Sequence, residues 1–186
     1  MTLALRGRLS AALACLLFSG LCDMFDGTYA ATLERNELEK KFGIQIDSLC
    51  DVVCFSTFPA ILAYSVAGNT PICLISMVMI VLCGVIRLGF FNVQEEIRQS
   101  ETTESRKHYQ GLPVTSSAII VPVGVLFFRL LPLQLELALP VLNICIACAN
   151  VIDFKMKKPQ KTGKMLLICA GLATFIAMLY LWGLGQ

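Results

Sequence analysis

Long apolar stretches separated by charged segments dominate the pattern of hydrophobic and polar positions along this chain. Six stretches have roughly the 20-residue length that an α-helix needs to cross the ~30 Å hydrocarbon core of a bilayer. The fifth is the weakest, because Glu136 and Pro140 interrupt it. The pattern predicts an all-α, polytopic bundle of about six transmembrane helices. The predicted spans cover residues 10–30, 44–67, 70–91, 113–131, 133–152 and 165–184.

The connecting segments alternate between long and short, and the long ones carry most of the positive charge. Segments 32–43, 92–112 and 153–164 hold three, three and five Lys and Arg residues. By the positive-inside rule these segments face the cytoplasm, and both termini lie outside. An exported N-terminus that carries Arg6 and Arg8 is unusual, which suggests that a preceding span is absent from this chain.

The composition supports a membrane protein and excludes several other classes. The chain of 186 residues is 56% hydrophobic and 15% charged, whereas soluble domains are about 25% charged. Without a linker or repeat, residues 1–186 are predicted to form a single domain. A net charge of +2 indicates no nucleic-acid partner, and the basic residues lie where lipid headgroups would meet them.

Most of the nine cysteines fall inside apolar runs, where free Cys behaves as a small hydrophobe. We therefore expect reduced packing residues. The one CxxC motif, Cys145 to Cys148, has no second pair and no nearby His, so it is not predicted to bind zinc.

Four aspartates lie at or near the ends of the first two predicted spans. Asp23 and Asp26 are spaced i,i+3, and Asp47 and Asp51 are spaced i,i+4, so each pair shares one helical face. Ionisable groups deep in a membrane cost roughly 2–3 kcal/mol each, and bound cations would offset that cost. Ligand sets made only of oxygen favour hard ions such as Mg²⁺ or Mn²⁺, and a site with two ions suits phosphate chemistry.

A simpler interpretation of the acids is also open. Asp23 and Asp26 could merely end a helix, while Asp47 and Asp51 could be first-turn acids that interact favourably with a helix dipole. The neighbouring small residues favour a ligand site. Gly27 and Gly43 would let a bulky anion approach the backbone, and Ala30 keeps the same face small.

These residues resemble the signature of the CDP-alcohol phosphatidyltransferases, which reads D-x-x-D-G-x-x-A-R, a spacer, then G-x-x-x-D-x-x-x-D. Ala31 replaces the arginine of the signature, and the eleven residues between Ala31 and Gly43 form a longer spacer than the family usually has. Seven of the eight fixed positions match, and they are Asp23, Asp26, Gly27, Ala30, Gly43, Asp47 and Asp51.

The resemblance implies a role for each aspartate. Asp23, Asp26 and Asp47 would ligate the metal ions, while Asp51 would act as general base on the acceptor hydroxyl and lie close to the metals. The binding site for CDP-diacylglycerol would include Asp26, Gly27, Ala30 and Gly43. If the first helix continues past the membrane, Arg35, one helical turn beyond Ala31, could supply the missing positive charge.

Three further segments, "FGIQIDSLCDVVCFSTFPA", "RLGFFNV" and "YQGLPVTSSA", resemble the phosphatidylserine synthase branch of that family. The resemblance implies transfer of a phosphatidyl group from CDP-diacylglycerol to L-serine with release of CMP. Arg87 is the best candidate to bind the serine carboxylate, because a lone arginine within a span needs a counter-charge. The alternative is that Arg87 snorkels to the interface. We expect a homodimer in contact with membrane lipid, in a bacterial or archaeal cell membrane, with the active site facing the cytoplasm.

Other functions remain open at this stage. The same chemistry could use glycerol 3-phosphate, inositol phosphate or another alcohol, although a dianionic acceptor needs more positive charge than the chain visibly offers. Ala31 also allows a catalytically impaired or merely metal-binding member of the family. A transporter fits less well, because the acids cluster at one membrane face and not along a midplane pathway.

Overall fold

Helices dominate the computed structural model of the chain, which describes residues 1–30, 32–101, 108–131, 133–157 and 161–183. Two three-residue strands, β1 (His108–Gln110) and β2 (Lys155–Lys157), pair antiparallel. The helices of the described residues are α1 (Thr2–Leu5), α2 (Leu9–Ala30), α3 (Glu37–Asp51), α4 (Phe58–Ala67), α5 (Pro71–Glu101), α6 (Ser117–Leu130), α7 (Leu135–Val151) and α8 (Lys161–Gly183).

The apolar helices agree with an integral membrane bundle. Three of them are long and apolar enough to cross a membrane, and three shorter ones are also apolar. All six overlap the stretches predicted from the hydropathy pattern, so the prediction of an all-α, polytopic membrane fold is confirmed. The long helices are Leu9–Ala30, Glu37–Ala67 and Pro71–Ile97, and the shorter ones are Val114–Leu130, Leu135–Val151 and Leu167–Tyr180.

Two of the predicted helix boundaries are wrong. The second long helix begins at Glu37 and not near residue 44, because Asn36 and Glu39 form a capping box. The Glu39 N–H donates to Asn36 Oδ1 at 2.8 Å, and the Asn36 N–H donates to Glu39 Oε2 at 2.9 Å. α5 continues to Glu101, ten residues beyond its predicted end. The helices therefore extend into segments that were predicted to be connections.

A π-helical segment, Val52–Thr57, joins α3 to α4. Within it the Phe58 N–H donates to the carbonyl of Val53, five residues earlier. Pro59 follows directly, and in an α-helix its ring would clash with the carbonyl of Phe55, four residues back. Because wider turns move that carbonyl away, the proline explains why the π-helical segment lies here.

The core of the bundle lies where α4, α5 and α7 pack against one another, with α2 and α6 beside them. Its largest buried side chains include Phe55, Leu62, Ile80 and Leu139. Small residues allow the helices to approach closely, since a Cβ at Gly20 of α2 would lie 2.5 Å from the Ala118 Cβ of α6. Apolar side chains on the outer faces of the helices remain exposed, as a lipid environment requires.

The strands β1 and β2 tie the segment before α6 to the end of α7. The Gly111 N–H donates to the Phe154 carbonyl at 2.8 Å, and the Leu112 N–H donates to the Ala149 carbonyl at 3.1 Å. Gly111 has a φ of 70°, a conformation that favours glycine. A Cβ there would also lie 3.0 Å from the Ile152 carbonyl. This backbone pairing was not predicted from the sequence.

Candidate active site

The C-terminal parts of α2 and α3 carry the four aspartates of the sequence pattern and bring them together. Carboxylate oxygens of Asp23, Asp26 and Asp47 all lie within 4.8 Å of one another. Asp51 and Asp23 lie close enough for their carboxyl groups to interact. We call Asp23, Asp26 and Asp47 the acidic cleft, and Asp51 forms its inner edge.

The helix boundaries exclude the simpler interpretation of the second pair. α3 begins at Glu37, so Asp47 and Asp51 lie well beyond its first turn. The favourable effect of a helix dipole on an acid is confined to that turn. The four aspartates also differ in burial. Asp51 is only 9% exposed, whereas Asp26 and Asp47 are exposed.

The donor set of the acidic cleft suits a hard divalent cation. Within the described ranges, the group that could hold a metal consists of carboxylates alone, without a His or Cys ligand. Carboxylate oxygens are the ligands that Mg²⁺ and Mn²⁺ prefer. The cysteines behave differently: all nine are free thiols, and Cys145 and Cys148 of the CxxC motif lie on an exposed face of α7. Of the nine, only Cys73 is fully buried, so packing in the core does not explain most of them.

The small residues of the pattern border the cleft. A Cβ at Gly27 would meet nothing within 4 Å, so protein packing does not require a glycine there. Gly43 lies inside the second turn of α3. The predicted span of residues 44–67 had placed it directly before the helix. Ala30 is the last residue of α2. Ala31, which replaces the arginine of the signature, lies outside the described residues.

Arg35 lies outside the first helix. α2 ends at Ala30, so the condition under which Arg35 could supply the missing charge, a first helix that continues past the membrane, is not met. Arg35 lies in the connection between α2 and α3, and its Nη1 lies 3.3 Å from the position of a Cβ on Gly43. Its buried Nε has no hydrogen-bond partner in the described part of the chain. The guanidinium group therefore packs against α3 one helical turn before Asp47.

Arg87 is buried within α5 and does not snorkel. Its side chain is only 7% exposed, and its Nε donates to the Leu112 carbonyl at 3.4 Å. A guanidinium group has five N–H donors in a planar fork, so Arg87 can bind further acceptors. The structure thus places a permanent positive charge inside the bundle.

The sequence pattern missed several polar residues that lie between the helices. The Asn92 Nδ2 of α5 donates to Ser48 Oγ of α3 at 2.9 Å. On α7, the Asn143 Nδ2 donates to the Pro59 carbonyl at 3.0 Å, and Asn150 is 1% exposed. The one available signal was the presence of two asparagines in the otherwise apolar run "NICIACAN".

Comparisons with known proteins agree with this chemistry. A family model described as CDP-alcohol phosphatidyltransferase matches residues 1–152. The archaetidylserine synthase of Methanothermobacter thermautotrophicus is 37% identical over 120 residues, which are 64% of this chain and 48% of that protein. Two proteins named CDP-diacylglycerol--serine O-phosphatidyltransferase are also similar.

The Saccharomyces cerevisiae protein of that name is 33% identical over 104 residues, covering 55% of this chain and 37% of the relative. The Mycobacterium leprae protein is 30% identical over 128 residues, covering 68% of this chain and 41% of the relative. The chain therefore spans less than half the length of these curated relatives.

Proposed function

Since the chain belongs to the CDP-alcohol phosphatidyltransferase family, we propose that it transfers a phosphatidyl group from CDP-diacylglycerol to L-serine and releases CMP. The observation that carries this proposal is the meeting of carboxylates from two helices, with three of them within 4.8 Å of one another. Serine as the acceptor is supported by the relatives, because each of the three names above includes serine. One integral-membrane domain, residues 1–186, would contain the whole site.

The acidic cleft is proposed to hold the metal ions. Asp23, Asp26 and Asp47 would be the principal ligands, and Asp51 would complete the set from its inner edge. When bound, two Mg²⁺ or Mn²⁺ ions would neutralise the diphosphate and lower the pKa of a nearby hydroxyl group. The carboxylates hold this charge at one end of the bundle, where a lipid-linked nucleotide can approach from the membrane surface.

Asp51 is proposed to act as the general base. Its carboxylate would accept the proton of the serine hydroxyl as the serine oxygen forms a bond to the phosphorus that carries diacylglycerol. The bond from that phosphorus to the bridging oxygen breaks, and CMP leaves with the electron pair. Because Asp51 is only 9% exposed, few water molecules would compete with the serine hydroxyl for its carboxylate.

The two arginines and the small residues are proposed to bind the substrates. Gly27, Ala30 and Gly43 would border the nucleotide of CDP-diacylglycerol, and Arg35 would contact its diphosphate from the connection between α2 and α3. Arg87 would pair with the serine carboxylate. Binding of both substrates by fixed groups would account for much of the catalysis through positioning.

The remaining proposals concern orientation and assembly. The positive-inside pattern supports an active site that faces the cytoplasm. We propose a bacterial or archaeal cell membrane as its location. The basic connecting segments would contact anionic lipid headgroups. We further propose a homodimer as the assembled form.

A second candidate keeps the acceptor and changes the lipid. The relative from Methanothermobacter is named for archaetidylserine, whereas the yeast and mycobacterial relatives are named for CDP-diacylglycerol. CDP-archaeol could therefore be the natural donor. Comparing the two donors at equal surface concentration in vesicles would decide between them.

The decisive experiment measures CMP release by purified protein in vesicles that contain CDP-diacylglycerol. We expect release only when L-serine and Mg²⁺ or Mn²⁺ are both present. Glycerol 3-phosphate and inositol phosphate serve as control acceptors, and faster release with either would overturn serine as the substrate. Protein that binds Mn²⁺ by calorimetry but releases no CMP with any alcohol would indicate an impaired family member.

A further inference from the structure

Contacts between helices fix which residues of α5 lie at the depth of Asp51. Gly84 of α5 packs directly against Ser56 of the π-helical segment, and eight residues later Asn92 bonds to Ser48 of α3. α5 runs antiparallel to α3, so moving one residue forward along α5 corresponds to moving one residue back along α3 and the π-helical segment. Arg87 therefore lies at the level of Val53, two residues from Asp51.

The same reasoning fixes the depth of Asn150 on α7. The Asn143 side chain contacts the Pro59 carbonyl at 3.0 Å, and α7 also runs antiparallel to the helix that contains Pro59. Asn150 follows seven residues later, which is two turns or about 10 Å further along the same helical face. Asn150 consequently lies level with Val52, the residue that follows Asp51 in the chain.

The backbone of Leu112 links the two polar side chains. Its carbonyl accepts a hydrogen bond from Arg87 Nε at 3.4 Å, and its N–H donates to Ala149, the residue before Asn150, at 3.1 Å. One residue of the segment before α6 thus bridges α5 and the end of α7. Arg87 and Asn150 approach the depth of Asp51 from neighbouring helices.

The side-chain amide of Asn150 is buried without a protein partner among the described residues. The residue is 1% exposed, and neither Nδ2 nor Oδ1 has a hydrogen-bond partner within the described ranges. Leaving buried donors and acceptors unpaired is costly, so most of them in native proteins find partners. Asn143, on the same face, has a partner for its Nδ2, and only its Oδ1 has none among the described residues.

We infer that Asp51, Arg87 and Asn150 form a subsite, here called the inner polar pocket, that selects an amino-acid acceptor. Asn150 Nδ2 would donate to the acceptor carboxylate together with Arg87, and Oδ1 would accept from the ammonium group. The acceptor hydroxyl would then face Asp51. This inference rests on the proposed function and adds Asn150 as its specificity-determining residue.

The test compares two Asn150 variants of the full chain in vesicles. Asn150→Asp keeps the volume but replaces the amide donor with a carboxylate that repels the carboxylate of serine. We expect the KM for serine to rise at least about tenfold, a change of roughly 1.4 kcal/mol, while the KM for CDP-diacylglycerol stays unchanged. Ethanolamine, which lacks the carboxylate, should gain relative to serine.

Asn150→Ala removes both contacts and decides the question if the Asp variant does not fold. Asn143→Ala is the matched control, because it removes a buried amide from the same face; we expect a lower Tm with an unchanged KM for serine. An unchanged KM for serine in the folded Asn150 variants, or an equal rise in the control, would overturn the inference. Wild-type protein that releases CMP without any dependence on serine would instead overturn the proposed acceptor.

Discussion

The acidic cleft and the inner polar pocket lie side by side but differ in how much protein surrounds them. Asp26 and Asp47 of the cleft are exposed, whereas Asp51, Arg87 and Asn150 of the pocket are 9%, 7% and 1% exposed. An exposed cleft can admit a nucleotide with its metal ions. Inside the bundle, hydrogen bonds are stronger and unpaired polar groups cost more, which favours selection of a small acceptor.

The difference follows from the helices that build each region. The first turns of α3 extend beyond the packed bundle, so that apolar side chains such as Leu38 and Phe42 remain largely exposed there. The pocket lies against α5 and α7, which pack together more extensively than any other pair of described helices. Substitutions in the cleft and in the pocket should therefore affect binding of the donor and binding of the acceptor separately.

The largest expected effect separates the proposed base from a proposed metal ligand. Asp51→Asn should lower CMP release by about 10²–10⁴-fold, the usual contribution of general base catalysis, and added Mn²⁺ should not restore it. Asp26→Asn should chiefly weaken metal binding. Mutation of residues that merely support metal ligands lowers metal affinity about 10–100-fold. Loss of a ligand should therefore raise the Mn²⁺ concentration for half-maximal CMP release by at least about tenfold.

A titration of CMP release against Mn²⁺ for both variants checks this contrast. Circular dichroism of each purified variant controls for folding. If Mn²⁺ rescues Asp51→Asn as well as it rescues Asp26→Asn, then Asp51 acts only as a metal ligand and its role as general base is wrong.

The next expected effect compares two glycines of α2, of which one lies in the packed bundle and one borders the cleft. Gly20→Ala should destabilise the protein by about 1–3 kcal/mol, because the new Cβ would lie 2.5 Å from Ala118. Gly27→Ala meets nothing within 4 Å, and alanine favours the helix by up to about 1 kcal/mol. Thermal unfolding in detergent measures both changes.

The same pair also tests the substrate site. If Gly27 borders the nucleotide as proposed, Gly27→Ala should raise the KM for CDP-diacylglycerol although the protein is no less stable. A loss of stability in Gly27→Ala would show that its role is structural.

The smallest expected effect concerns Arg35, in the connection between α2 and α3. Arg35→Ala should raise the KM for CDP-diacylglycerol about tenfold, which corresponds to loss of a hydrogen bond to a charged group, and leave the KM for serine unchanged. Ala31→Arg in that background should restore part of the affinity. Steady-state kinetics with each substrate varied in turn measures the change.

Lys41→Ala is the control for Arg35, because it removes a positive charge from an exposed position of α3. An equal effect of the two substitutions would show that net charge near α3 matters, and that the contact of Arg35 with Gly43 does not.

The features of the fold and site that could be predicted from the sequence are those set by residues close together in the chain. Hydropathy located six apolar helices, and the spacing of Asp47 and Asp51 placed both carboxylates on one face of a single helix. Asn150 could not be assigned in this way. Its depth in the bundle depends on the register between α7 and α4, which the contact of Asn143 with Pro59 sets across more than 80 residues of sequence.

Local signals also misled the prediction of connections. A first helix that continues to Arg35 was left open, but the Asn36 capping box starts α3 at once and places Arg35 in a tight connection close to Gly43. The π-helical segment was missed as well. Pro59 was a visible signal for an irregular helix, although proline alone does not tell a kink from a widened turn.

The pairing of β1 with β2 has a consequence for how the protein is made. The two strands lie at the ends of the segment that contains α6 and α7, with His108 opposite Lys157 and Gln110 opposite Lys155. During synthesis β2 emerges only after both of these helices. The hydrogen bonds between the strands therefore form only after α6 and α7 have both crossed the membrane. Their presence distinguishes a completely inserted chain from a partly inserted one.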